Sequence, residues 1–277
     1  MGVLNVTPDS FSDGGKFENL DAAVSQARSL FEAGAAIIDI GGESTRPGAE
    51  RVPVAQEIDR VVPVIEAIRA ADWASGSAAP RISIDTMNHQ TALAAIAAGA
   101  QIVNDVSGGL ADPEMLDAIA PTDATYVLGH WRGHSALMDS LNHYDDIAAD
   151  VAAELADRLV LAAGAGVLRE RIVLDPGLGF AKDASQNWQL IAGLARIQQL
   201  GLPVLIGASR KRFLAAALDG TDSASVQNDR RDAATAVLTG MLAGSGVWGF
   251  RVHNVAANRD ALRVASALQS ASQVAAE

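Results

Sequence analysis

The chain has 277 residues, 49% of them hydrophobic and 19% charged, which excludes a disordered polymer and supplies a full-sized core. Only 4% are aromatic and the formal net charge is −12, so neither a base-stacking platform nor a phosphate-backbone groove is built in. Cysteine is absent, which removes disulfides, thiolate metal sites and thiol nucleophiles.

The first strand is predicted at Gly2–Val6 and the first helix at Leu20–Ala33. Ala36–Ile40 follows as the second strand, with the helix Val54–Ala71 behind it. Strand Arg81–Asp85 leads into helix Gln90–Ala98, and strand Gln101–Asp105 comes next. Strand Thr125–His130 precedes helix Ile147–Ala163, and strand Arg171–Asp175 precedes helix Trp188–Leu200. Strand Pro203–Gly207, helices Lys211–Leu218 and Ala233–Ala243, strand Trp248–His253 and helix Ala256–Ala271 complete the pattern. The strands read as short Val/Ile/Leu runs without a wet face, as strands buried on both sides do. Ala33-Gly34, Ala98-Gly99, Ala163-Gly164 and Leu200-Gly201 mark helix ends. Eight strands alternating with helices predict one α/β domain over 1–277, a (β/α)₈ TIM barrel. An open doubly wound sheet is the rival, and the G-x-G-x-x-G turn it favours is missing after the first strand. No signal peptide and no apolar run of about 18–20 residues is legible, so the expected location is cytoplasmic.

In such a barrel the C-terminal strand ends build the active site. Here Asn5, Asp39, Asp85, Asn104, His130, Asp175, Lys211 and Arg251 with His253 stand at or just past them. A single Asp such as Asp85 is readily a helix N-cap, but a polar group at nearly every strand end is not packing. Asp85, Asn104 and Asp175 offer acceptors and one amide, a set suited to the edge of a flat heterocycle carrying N–H groups. A carboxylate cage for a divalent metal is the competing use. Lys211, Arg251 and His253, with Asn5 across the barrel, form a second, cationic set suited to an anion. No G-x-S-x-G elbow is present and Ser209 has no obvious His–Asp pair in the sequence, which favours binding and charge stabilisation over covalent catalysis.

At Met1–Gly15 (MGVLNVTPDSFSDGG), Gly41–Gly48 (GGESTRPG), Ser83–Thr86 (SIDT) and Val103–Gly109 (VNDVSGG) the sequence resembles the dihydropteroate synthase family. Leu174–Phe180 (LDPGLGF), Gly207–Phe213 (GASRKRF) and Arg251–Val255 (RVHNV) continue the resemblance in the same order. It implies a pterin-binding TIM-barrel transferase that joins p-aminobenzoate to 6-hydroxymethyl-7,8-dihydropterin diphosphate, using Mg²⁺, and acts as a homodimer. By the same resemblance, Asp85, Asn104, Asp175 and Lys211 hold the pterin, Arg251 and His253 the diphosphate, and Asn5 ligates the metal. Asp85, Asp175, Lys211, Arg251 and His253 form the implied catalytic set, and Thr45 also touches the pterin diphosphate. Thr7 to Gly15 and Thr45, Arg46 and Pro47 look like two closing loops. Phe11, Thr45, Arg46, Pro47, Phe180 and Ser209 resemble the p-aminobenzoate pocket, which implies inhibition by sulfonamides. The sequence departs from the family at Gly129, where a Met is common, and at Asn254, where Asp is frequent. A non-catalytic pterin-binding paralogue and a methyltetrahydrofolate–corrinoid methyltransferase are the alternatives. The motifs around Thr45, Ser209 and Arg251 argue against the methyltransferase, which needs no diphosphate site.

Overall fold

The computed structural model describes residues 1–6, 16–43, 52–73, 79–134, 140–219 and 226–274. Within them the strands are β1 (Gly2–Asn5), β2 (Ile37–Gly41), β3 (Arg81–Asp85), β4 (Ile102–Asp105), β5 (Thr125–Gly129), β6 (Ile172–Asp175), β7 (Leu205–Ile206) and β8 (Gly249–Phe250). The helices are α1 (Lys16–Glu32), α2 (Val54–Ala70), α3 (His89–Ala98), α4 (Met115–Ile119), α5 (Ile147–Gly164), α6 (Ala184–Ala192), α7 (Leu194–Gln198), α8 (Arg212–Asp219), α9 (Asn228–Leu242) and α10 (Val255–Val274). Local chemistry sets several boundaries. Asp183 and Gln186 form a reciprocal capping box that starts α6. Gly99 ends α3 at φ +119°, so that β4 can begin within three residues.

β1 to β6 pair in parallel and in chain order, and β7 pairs with β8. Two bridges join these sheets. Leu174 meets Val204 on one side, where Leu174 N–H donates to Pro203 O at 2.8 Å. Gly2 meets Val252 on the other, with Val3 N–H to Val252 O at 3.0 Å and Val252 N–H to Met1 O at 2.9 Å. The eight strands therefore close into a ring, the expected (β/α)₈ barrel. β7 and β8 are shorter than their predicted extents, because Pro203 has no N–H to give and pairing at the two seams thins to single bridges. α4 escapes a periodicity reading because it spans five residues, yet it buries Met115, Leu116 and Ile119. The predicted helix Trp188–Leu200 is two helices. They divide at Gly193, where a Cβ would sit 2.5 Å from the Ala148 side chain.

The core has two layers. Ile38, Ile40, Ile84, Val103, Leu128 and Leu174 face outward against the helices. Ile37, Ile102, Val127, Val173 and Leu205 pack inside the ring with Met1 against them. Each buried branched side chain stabilises the fold by about 1.5–3 kcal/mol. A strand repeats every two residues, so one pleat above this apolar plug the inward positions are Asp39, Asn104, Gly129, Asp175 and Gly207. The plug closes the floor, and polar chemistry begins on the next layer.

Candidate active site

Strand register assembles the site. Asn5 pairs with Gly41, Gly41 with Asp85, and Asp85 with Asn104, which makes one row across four strands. Gly129 and Asp175 form the adjoining row. Gly41 leaves space between its neighbours: a Cβ there would lie 3.8 Å from both Asn5 Oδ1 and Asp85 Oδ2.

Arg251 crosses the first row. Its Nε donates to Asp39 Oδ2 at 2.6 Å and a terminal nitrogen donates to Asp85 Oδ2 at 2.6 Å. Asn104 Nδ2 adds a 3.2 Å bond to the same Asp39 oxygen. Arg251 of the anion set is thus joined to Asp85 of the heterocycle set directly and to Asn104 through Asp39. Burial pushes the Asp85 carboxyl up, and Arg251 pulls it back toward the ionised form. Against the lowering effect of burial, Asp39 and Asp85 hold the guanidinium protonated. Asp39 is fully buried and was not among the sequence-derived binding residues. Its signal was an acid flanked by Ile38 and Ile40 in an otherwise apolar strand.

Asp175 is anchored by its own loop, since Oδ1 accepts from Gly177 N–H at 2.7 Å. The loop continues to Phe180, whose ring lies 4.2 Å from Lys211 Nζ. Lys211 also donates to Leu178 O. Burial lowers Lys211 to about 8, and Asp175 works in the opposite direction. Lys182, absent from the sequence-derived set, holds this loop from behind. Its buried ammonium donates to Gly177 O and Phe180 O at 3.0 Å each and to His130 Nδ1 at 2.9 Å. Burial first and Lys211 second pull Lys182 down to about 7, with Asp175 and Glu154 working in the opposite direction. His130 Nε2 faces Glu154 at 2.9 Å, and Glu154 is shared with Arg132. Burial drives His130 to about 4, so it is a neutral link between Lys182 and Glu154.

The sequence offers Ser209 no obvious His–Asp pair, and the structure places one His beside it. His253 Nδ1 lies 2.9 Å from Ser209 Oγ. The backbone N–H of His253 also donates to that oxygen at 3.1 Å. The pair ties the β7 end to the β8 end. Phe11, Thr45, Arg46 and Pro47 lie outside the described residues, as do both predicted loop motifs from Thr7 to Gly15 and at Thr45 to Pro47. Asp105 turns outward instead of into the site, where Tyr126 Oη donates to it at 2.7 Å and Ser107 Oγ at 2.6 Å.

Gly129 has a physical reason. A Cβ there would lie 2.5 Å from Val106 O and 2.7 Å from Val106 C and Cα. Backbone cannot yield as a side-chain tip can. Gly129→Ala is expected to cost about 1–3 kcal/mol, lowering the melting midpoint by several degrees. An unchanged midpoint would show that the Val106 turn yields freely.

The chain as a whole is similar to known proteins. The family described as pterin binding enzyme matches residues 1–253. A dihydropteroate synthase of Mycobacterium leprae (strain TN) is 46% identical over 268 residues, spanning 96% of this chain and 92% of its own. A Xanthomonas albilineans dihydropteroate synthase solved with 4-aminobenzoic acid matches at 42% identity and a TM-score of 0.85, over 97% of this chain and 92% of that one. A second structure from that organism, in complex with 7,8-dihydropteroate, matches at 40% identity and a TM-score of 0.82, with coverage of 97% and 92%. A Yersinia pestis dihydropteroate synthase in a sulfonamide drug complex matches at 36% identity and a TM-score of 0.86, over 98% and 94%.

Proposed function

We propose, from the premise that this chain belongs to the pterin binding enzyme family and within it to the dihydropteroate synthases, a division of labour among its strand-end residues. The enzyme is a transferase of folate biosynthesis. It condenses p-aminobenzoate with 6-hydroxymethyl-7,8-dihydropterin diphosphate to give 7,8-dihydropteroate and diphosphate. The observation that carries the residue assignment is the row Asn5–Gly41–Asp85–Asn104 crossed by Arg251.

Asp85, Asn104 and Asp175 present acceptors at one level of the barrel, matched to the ring N–H and amino groups of a pterin. Lys211 lies within electrostatic reach of Asp175 and over the Phe180 ring, and its stem with Phe180 and Ser209 lines the arylamine's approach. The C–O bond to diphosphate breaks and the arylamine nitrogen bonds to the methylene carbon, which carries cationic character in between. Asp85 and Asp175 favour that charge, and Arg251 and His253 receive the departing anion. An arylamine is neutral near pH 7, so its attack requires no strong base, and the ammonium formed by attack loses its proton to the released diphosphate or to water.

Mg²⁺ is the cofactor we assign. Asn5 Oδ1 is a hard oxygen donor beside Asp85. Among the described residues no group of three or more His, Asp or Glu could cage a metal ion. Asn5 would hold the ion through its side-chain oxygen. When bound, it neutralises charge on the leaving diphosphate.

A homodimer and a cytoplasmic location complete the proposal. α9 and α10 carry Val237, Met241, Val264 and Leu268 at 63, 76, 71 and 69% exposure, two pairs at helical i,i+4 spacing that favour a second copy. The cysteine-free composition suits a reducing compartment. Among the described residues no helix is long and apolar enough to cross a membrane.

Purified protein supplied with both substrates and Mg²⁺ is expected to release dihydropteroate and diphosphate in equal amounts, and chelation should abolish both. A sulfonamide is expected to raise the apparent KM for p-aminobenzoate without lowering the maximal rate. Turnover that survives chelation would remove the metal from the proposal, and non-competitive inhibition would remove the shared pocket.

A further inference from the structure

The turn that presents Ser209 and Lys211 is strained and externally held. Lys211 N–H donates to Ala208 O at 3.2 Å, closing a four-residue turn whose third residue is Arg210. Arg210 has φ +61°, and Ala181 is the only other non-glycine residue with positive φ among the described residues. A turn of this shape asks for Gly or Asn at its third position. This chain places an Arg there, and one face of α9 surrounds it. Arg210 Nε and a terminal nitrogen form a bidentate pair with buried Asp232, at 2.8 and 2.7 Å. Arg231 donates to Arg210 O at 3.3 Å, and Arg210 N–H faces Thr235 Oγ1 at 3.5 Å. Thr235 Oγ1 is itself fixed by donating to Arg231 O at 2.7 Å.

We propose that Arg210 is a positioning residue for the transfer reaction, clamped by Arg231, Asp232 and Thr235 so that its left-handed backbone aims Ser209 at His253 and Lys211 at the Leu178–Phe180 loop. No substrate contact is required of Arg210. The side chain points away from the site to α9, and the site gains only the backbone geometry. A flexible salt bridge would not suffice, because the planar fork must fix orientation as well as charge. This rests on the reading of Ser209 and Lys211 as substrate-binding residues.

Left-handed strain on an L residue weights the turn's population by roughly tenfold. Arg210→Ala keeps the strain and loses the clamp, so the KM for p-aminobenzoate is expected to rise about tenfold. Arg210→Gly loses the clamp and also the strain, and is expected to recover most of that loss. A residue with a purely structural role would lower the melting midpoint in both variants and leave KM alone. Equal KM values for wild type, Ala and Gly variants would overturn the proposal. A second readout does not depend on the enzymatic reading. Asp232→Asn retains both basic residues of the turn, and tryptic cleavage after Lys211 should accelerate by about tenfold as the released turn opens. An unchanged cleavage rate would overturn the clamp. A wild type that turns over neither substrate while the Asn variant is cleaved faster would keep the clamp and sink the site reading.

Discussion

Replacing Arg251 by Leu is expected to abolish turnover and to destabilise the barrel by about 3–5 kcal/mol, roughly ten degrees in melting midpoint. Both effects have one origin. Arg251 supplies the counter-charge to two buried carboxylates on different strands, Asp39 on β2 and Asp85 on β3. Without it those carboxylates face each other across a low-dielectric interior, and one must take up a proton or water must enter. Arg251→Lys should recover little, since an ammonium cannot span two carboxylates 2.6 Å from separate nitrogens of a planar group. Adding Asp39→Asn to the Leu variant removes one orphaned charge and should restore part of the stability while leaving the enzyme inactive. Calorimetric melting with a parallel turnover assay checks both. A Leu variant that melts with the wild type would mean the network is solvated and the ion pairs contribute little.

Asp175→Asn is expected to lower kcat by about 10²–10³-fold with a nearly unchanged melting midpoint. Asn retains an oxygen for Gly177 N–H, whose 2.7 Å bond shapes the loop after β6, so the loop is preserved. It lacks the negative charge assigned to the electron-poor carbon and ring. Asp175→Ala removes both functions, and should add a loss of p-aminobenzoate affinity because Phe180 and Leu178 lie on the same loop. Single-turnover rates of the two variants separate charge from loop geometry. An Asn variant within a few fold of wild type would leave Asp175 a purely structural acceptor.

Much of this site was legible because the barrel writes its chemistry at strand ends. Asp85, Asn104 and Asp175 each terminate a short apolar run, and register then sets Asp85 beside Asn104 and Asp175 beside Gly129. The unread residues share a different property. Asp39 lies inside its strand, and its partner Arg251 is 212 positions away. The Ser209–His253 pair spans 44 positions, and Lys182 reaches His130 across 52. Such contacts exist only after the ring closes, so no local pattern announces them. The two shortest strands and the five-residue α4 were misjudged for a related reason, since tertiary packing and not propensity sets their length.

The seam between Gly2 and Val252 has a temporal consequence. Synthesis at roughly 5–20 residues per second separates the emergence of these two segments by roughly ten to fifty seconds. During that interval the first-made strand has a neighbour on one side only and shows a bare row of amides and carbonyls on the other. The ribosome's pace, together with whatever shields that edge, therefore decides how often a nascent chain is lost to misassembly before its barrel shuts.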